Sequence, residues 1–381
     1  MKYILYILAG LYLISCGEVK NKETDSTIDH GLLEVKIDSL FNQYFNDNTP
    51  GAAILVSFEG KKIISNGYGL RDLSKSLPIK ATTNMRSGSL AKQFTALGIL
   101  RLLEQGKLDL KDSVYKYIPY PVFRDVTINQ LISHTSGIQD VEYVFENHWE
   151  SSNFPNNKDA IEWYSKNDSL NFKPGSKFEY NNGGYYVLTR IIEIVSDTSF
   201  REFMQNEIFN PIGMNSTSFI DMSASQIIKE KALCYERDSL LNWQTMEGQV
   251  VDDLVGAGGI YTNLEDYSKY VEALRDKKIL TPEFHDLIFK PISMNIELHS
   301  EDMRTLKGKN SSYAMGWEVF DDMAVSAGLY YGVNNWSIFE FERPLTIVIF
   351  TNNDILFKEN LVDKAYTIID EYFKNYCQHC I

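Results

Sequence analysis

Residues 89–104, SLAKQFTALGILRLLE, are apolar nearly all the way round a helical wheel. A helix like that has to be covered on every side, so it belongs inside a large fold. Gly106 just beyond it stops the helix. Residues 52–58, the Glu59-Gly60 pair and residues 61–65 read as a β-hairpin. Strand patterns then lapse, returning only at 313–319, 336–340 and 346–350. Between them, residues 107–245 are helical and loop-rich, punctuated by Pro119, Pro121, Pro155, Pro174 and Pro211. Leu32, Leu33, Ile37, Leu40, Phe41, Tyr44 and Phe45 recur at helical spacing and open the fold, and a last helix runs over about 358–376. Strands near both ends with helices between them predict an α/β (α+β) fold: one antiparallel β-sheet flanked by helices, with an inserted mainly helical domain.

Charge narrows the partners. The 381 residues carry 37 basic and 51 acidic side chains, a net charge of −14, with no basic run. Nucleic-acid binding needs clustered Lys and Arg, so that class is set aside.

The first seventeen residues, MKYILYILAGLYLISCG, place one Lys before an apolar run over 3–14. The run is too short to span a bilayer and has the length of a signal-peptide core. Leu13-Ile14-Ser15-Cys16 resembles a bacterial lipobox, in which the chain is cut before a lipidated Cys. The expected organisation is a lipoprotein signal peptide over 1–15 and a polar tether over 16–30. The folded body then spans 31–376, with its α/β part at 31–88 and 253–376 and its helical part at about 89–252. Residues 377–381 form a terminal Cys-x-x-Cys tail. Cys377 and Cys380 lack a second ligand pair for zinc, which leaves a thiol pair or a short disulfide. The expected location is a bacterial cell envelope, where the protein is lipid-anchored at Cys16 and faces the periplasm or exterior.

The chemistry gathers at the start of the interior helix. Ser89 and Lys92 stand at i and i+3, so hydroxyl and ammonium share a helix face. Gly88 allows close approach to the backbone, and a helix N-terminus favours developing negative charge. A Lys able to give up its proton can serve as base toward Ser89. The same spacing at Ser113 and Lys116 reads as a polar surface turn. Tyr180-Asn181-Asn182 lies in a Gly-flanked loop before a helical run. There a phenol can relay protons and an Asn amide can hold a substrate carbonyl. Tyr44-Phe45-Asn46 and Tyr261-Thr262-Asn263 share the pattern and read as structural.

Taken in order, these blocks resemble the serine β-lactamase and penicillin-binding-protein superfamily, nearest its class C β-lactamase-like branch. The resemblance runs from about residue 50 to 350. Its blocks are PGAAILVSFEGKKIISNGYG, RSGSLAKQFTALGIL, LISHTSG, PGSKFEYNNGGYYVL, NPIGMNSTSF, GAGGIYTNLEDYSKY, YAMGWEVF and SAGLYYGVNNW. It implies a β-lactamase/transpeptidase-like fold, with Ser89 acylated, Lys92 its basic partner, Tyr180 assisting proton transfer and Asn182 touching substrate. The Ser89 N–H and the Leu329 N–H would serve as oxyanion donors. The third motif departs from the pattern. Where the family carries Lys-Thr-Gly or His-x-Gly, this chain has Ser326-Ala327-Gly328, and no cation stands nearby in MAVSAGLYYG. Ser326 can hydrogen-bond but carries no charge, so recognition of a substrate carboxylate weakens.

His134 in LISHTSG reads as a structural turn residue. Asp252-Asp253 reads as a solvated loop. Tyr330 and Tyr331, on an edge strand, either line the cleft or pack. GAGGIY at 256–261 reads as close backbone packing. The expected function is a serine hydrolase acting by acyl-enzyme formation on an ester or amide, of esterase or D-amino-acid peptidase type, without cofactor or metal. The alternatives are a penicillin-recognising β-lactamase or DD-carboxypeptidase and a lipid-anchored binding protein without chemistry. Substrate identity and oligomeric state are left open.

Overall fold

The computed structural model describes residues 30–222, 227–296 and 306–378. The proposed signal peptide, Cys16 and Cys380 lie outside the described residues, as does the side chain of Cys377. Among the described residues, no helix is long and apolar enough to cross a membrane.

Eight strands form the main sheet: β1 (Ala52–Phe58), β2 (Lys61–Tyr68), β3 (Ser293–Ile296), β4 (Ser311–Tyr313), β5 (Glu318–Val319), β6 (Met323–Tyr330), β7 (Val333–Glu340) and β8 (Leu345–Thr351). Their order is β3-β4-β5-β6-β7-β8-β1-β2, antiparallel throughout. The N-terminal hairpin therefore docks on the last strand, with Ala52 opposite Thr351 and Phe58 opposite Leu345. Its turn has positive φ at both Glu59 and Gly60, the conformation that matches strand twist in a two-residue hairpin.

All seven β1 residues are buried because both faces of the sheet are covered. Ala52, Ile54, Val56 and Phe58 pack with α1 (Gly31–Phe41) and with the terminal helix over 361–378. Ala53 and Leu55 face the opposite core, which holds α2 (Ala91–Glu104). Every second side chain thus enters a different core, as a pleated strand requires. Inserted between β2 and β3 are α2, α3 (Val141–His148), α4 (Gly183–Ser196) and α5 (Leu264–Arg275), with shorter helices and strands.

Two expectations are corrected here. Residues 313–319 do not form one strand. The chain turns between β4 and β5 at Gly316, whose φ is +82° and where a Cβ would lie 2.5 Å from the Gln93 nitrogen, so α2 leaves no room for a straight passage. Nor is β6 an edge strand, since β5 and β7 flank it. Because β5 has only two residues, paired to Val325 and Ala324, the half of β6 from Ser326 onward has a neighbouring strand on one side only.

Candidate active site

Ser89 sits in a single 3-10 turn, Gly88–Leu90, that runs straight into α2. The turn is pressed against β6. Gly88 has φ +55°, and a Cβ there would come within 2.8 Å of the Gly328 carbonyl carbon and 3.0 Å of the Leu329 nitrogen. A Cβ on Gly328 would meet the Ser87 oxygen at 2.1 Å. Two glycines facing each other let the backbones of helix mouth and strand touch. Alternation along β6 puts Ser326, Gly328 and Tyr330 on this face. Tyr330 and Val333 close the β6–β7 hairpin as a bonded pair, so the Leu329 N–H is directed away from β7, on the side of the Ser89 turn.

One turn along α2, the buried Lys92 Nζ donates to Ser89 Oγ at 3.0 Å, Asn182 Oδ1 at 2.7 Å and the Ala257 carbonyl at 3.1 Å. Two of these partners can only accept. The third is a hydroxyl, toward which the amine can present either a proton or its lone pair. Asn182 in turn donates from Nδ2 to Glu142 Oε1 at 2.8 Å. A single polar line therefore runs Ser89–Lys92–Asn182–Glu142.

The loop carrying Tyr180 and Asn182 is held from below. Asp140 N-caps α3 and also accepts from the backbone N–H of Asn182 and Gly183, both at 3.0 Å. A carboxylate there meets the positive ends of two helices. Burial nonetheless pushes its carboxyl above the usual range, against those three backbone donors. His134, fully buried with φ +57°, has its ring centroid 4.3 Å from that of Tyr180 with the planes tilted by 31°, and its Nδ1 accepts from the Asn181 N–H at 3.1 Å. Burial first, and Lys92 second, hold its imidazole well below its ordinary value, so it remains neutral. The Tyr180 ring centroid lies 4.8 Å from Lys92 Nζ.

Ser89, Arg86, Glu142, Asn182, Gly258 and Tyr330 border a cavity of about 50 Å³. It continues into a wider mouth of about 330 Å³ among Glu142, Glu146, Glu236, Leu329 and Tyr331. A larger recess of about 540 Å³, between Asn157, Arg201 and Asp253, contains none of the site residues. On the strand side, Ser326 and Tyr180 border a small pocket with Ser89, and Ser326 Oγ donates to the Gly316 carbonyl at 3.1 Å. Among the described residues, no three His, Cys, Asp or Glu side chains gather as metal ligands would.

Ser89, Lys92, Tyr180, Asn182, Ser326, Gly328 and Leu329 thus come together, although they are scattered over 241 positions, from 89 to 329. Asp252-Asp253 is not a solvated loop. Asp252 is 2% exposed and bonds Arg86 at 2.6 Å, while Asp253 accepts from the Met222 N–H. The buried guanidinium lies 3.6 Å from the Tyr330 ring centre, and the Tyr330 hydroxyl donates to the same Asp252 oxygen. Tyr330 therefore both packs and borders the cleft, while Tyr331 occupies the hairpin turn and bonds Glu146. The glycine run at 256–259 is a wall of the site, since Ala257 supplies an acceptor to Lys92 and Gly258 borders the cavity. Glu142, Arg86 and the Ala257 carbonyl were missed by sequence reasoning. No motif marks them, and each reaches the site through a loop or helix start that only tertiary packing places.

This fold, with a serine and a lysine on one helix turn facing a strand, is that of the β-lactamase-like class of proteins. The Beta-lactamase family model matches residues 37–368, and the chain belongs to that family. Penicillin-binding protein 4* of Bacillus subtilis is 26% identical over 292 residues, 74% of this chain, and the chain spans 62% of that relative's length. Two solved structures share the fold at lower identity. D-amino acid amidase from Ochrobactrum anthropi SV3 aligns with TM-score 0.73 at 18% identity, over 89% of this chain and 99% of the amidase. EstCE1, a hydrolase with promiscuous acyltransferase activity, aligns with TM-score 0.71 at 21% identity, over 86% of this chain and 95% of its own.

Proposed function

We propose that the protein hydrolyses an ester or amide, of the esterase or D-amino-acid peptidase type, through an acyl-enzyme on Ser89. The observation that carries this reading is the amine of Lys92, 3.0 Å from Ser89 Oγ and anchored by two obligate acceptors. Held this way, its third position takes the hydroxyl proton as Oγ attacks the carbonyl carbon. Tyr180 stands beside the amine to pass that proton to the leaving group. The Ser89 and Leu329 N–H groups stabilise the oxyanion, and Asn182 orients substrate as well as Lys92. Ser326 carries no charge where a cation would grip a carboxylate, and its one hydroxyl proton goes to the Gly316 carbonyl, which favours esters and amides over β-lactams. The EstCE1 and amidase likenesses suit the same reaction class.

The test is a panel of short-chain esters, D-aminoacyl amides and a chromogenic cephalosporin, run with fluorophosphonate labelling. Ester or amide turnover with label on Ser89 is expected, and Ser89→Ala should lower kcat by at least ~10³-fold and abolish labelling. Full activity in the Ala variant would refute the assignment. Cephalosporin turnover with a stable penicillin adduct would favour the penicillin-recognising alternative, for which the Bacillus relative speaks. We further propose that Cys16, after the apolar run and Ser15, carries a lipid that holds the enzyme at a bacterial envelope. Radiolabelled fatty acid incorporated by the wild type but not by Cys16→Ser tests this.

A further inference from the structure

Glu142 has a position the acylation step does not use. It is the second residue of α3, whose cap, Asp140, also holds the Asn182 loop. Its Oε1 is fixed by Asn182 Nδ2 at 2.8 Å. Among the described residues, no hydrogen-bond partner is recorded for its second oxygen. The side chain borders both the inner cavity with Ser89 and the outer mouth. The inner cavity, about 50 Å³, exceeds the ~10–15 Å³ that one water needs, and its walls are polar.

We infer that Glu142 is the general base for the water that hydrolyses the Ser89 acyl-enzyme; this rests on the acyl-enzyme reading above. The water oxygen bonds to the acyl carbon as its proton passes to the Glu142 carboxylate. The carbon–Oγ bond then breaks as Oγ recovers, through the Lys92 amine, the proton that Glu142 took from the water, and the product leaves as the carboxylic acid. The proton taken from water is thereby returned within the site, and neither Glu142 nor Lys92 has gained or lost a proton over the step. Asn182 joins the two halves of the cycle, with its oxygen holding the acylation base and its nitrogen holding the deacylation base.

The groups around Glu142 set when it works. Burial, then Asp140 on the same helix start, push its carboxyl up to about 8; Lys92 opposes this from α2, Glu146 adds to it, and Arg86 opposes it again. Tyr330, Tyr331 and Glu236 face it across the mouth. A general base acts in its deprotonated form, so deacylation rises with pH through about 8 and levels off above it.

The experiment is stopped-flow hydrolysis of p-nitrophenyl acetate with intact-mass analysis, comparing wild type, Glu142→Gln and Glu142→Asp. Gln keeps an acceptor for Asn182 and removes the base. We expect Glu142→Gln to show a burst of one equivalent and a persistent acetyl adduct on Ser89. Its kcat and KM should fall together by ~10²-fold, with kcat/KM changed by no more than about threefold. Its deacylation should lose the rise near pH 8, and Glu142→Asp should recover part of the rate. The inference is overturned if the Gln variant deacylates at the wild-type rate, keeps the pH rise, or loses kcat/KM as much as kcat, the mark of a structural role. Turnover that survives Ser89→Ala, or a Ser89 that takes no fluorophosphonate label, refutes the acyl-enzyme reading itself and this inference with it.

Discussion

The cleft has two walls built on opposite principles. The helix wall, from Ser89 through Lys92 and Asn182 to Glu142, concentrates ionisable side chains in a continuous hydrogen-bonded line. The strand wall, Ser326 to Leu329, carries no charge and contributes backbone, one hydroxyl and a glycine. Bond-breaking needs proton carriers on one side only, whereas an oxyanion needs fixed dipoles, which a strand supplies without titrating. The missing cation on the strand wall therefore bears on which substrate is held more than on whether acyl transfer can occur.

Asp252 ties the walls together, accepting from Arg86 just before the helix turn and from Tyr330 at the end of β6. Removing it is the most disruptive way to separate them. Asp252→Ala strands a guanidinium that is 4% exposed, and the expected loss is about 3–5 kcal/mol of unfolding free energy in urea titration. A loss under about 1 kcal/mol would mean that the tie is not what joins the walls.

The next perturbation wedges the walls apart. Gly328→Ala puts a methyl 2.1 Å from the Ser87 oxygen, so strand or helix mouth must shift. A cost of about 1–3 kcal/mol is expected in thermal unfolding, with ester turnover lost before the fold is. Wild-type turnover in this variant would show that the two donors need not be so close.

The mildest change sharpens the contrast by charging the neutral wall. Ser326→Lys should improve KM for an ester bearing a free carboxylate by ~10-fold over its methyl-ester analogue, the scale of one charge-assisted hydrogen bond. An unchanged ratio would mean that position 326 does not meet that end of the substrate.

Much of this was legible along the chain. The hairpin over 52–65, the interior helix after Gly88 and the late strands announce themselves through period and turn chemistry, which neighbours in sequence determine. Ser89 and Lys92 are one helical turn apart, so their meeting follows from local geometry. Tyr180 and Asn182 could be named by resemblance, but their placement depends on Asp140 capping α3 while binding the loop before α4. Asp252 misled because two adjacent carboxylates look solvated; its partner Arg86 is 166 residues away.

By itself, then, the sequence determined the pieces whose physics is local: which segments are helix or strand, which face of each is apolar, and that a hydroxyl and an amine share one turn. Tertiary structure alone decided that β6 lies against the Ser89 turn, that a glycine-loop carbonyl and Asn182 aim the amine, and that Glu142 borders the same cavity. These contacts join residues far apart in the chain, and only the packing of two cores against one sheet brings them within hydrogen-bond reach.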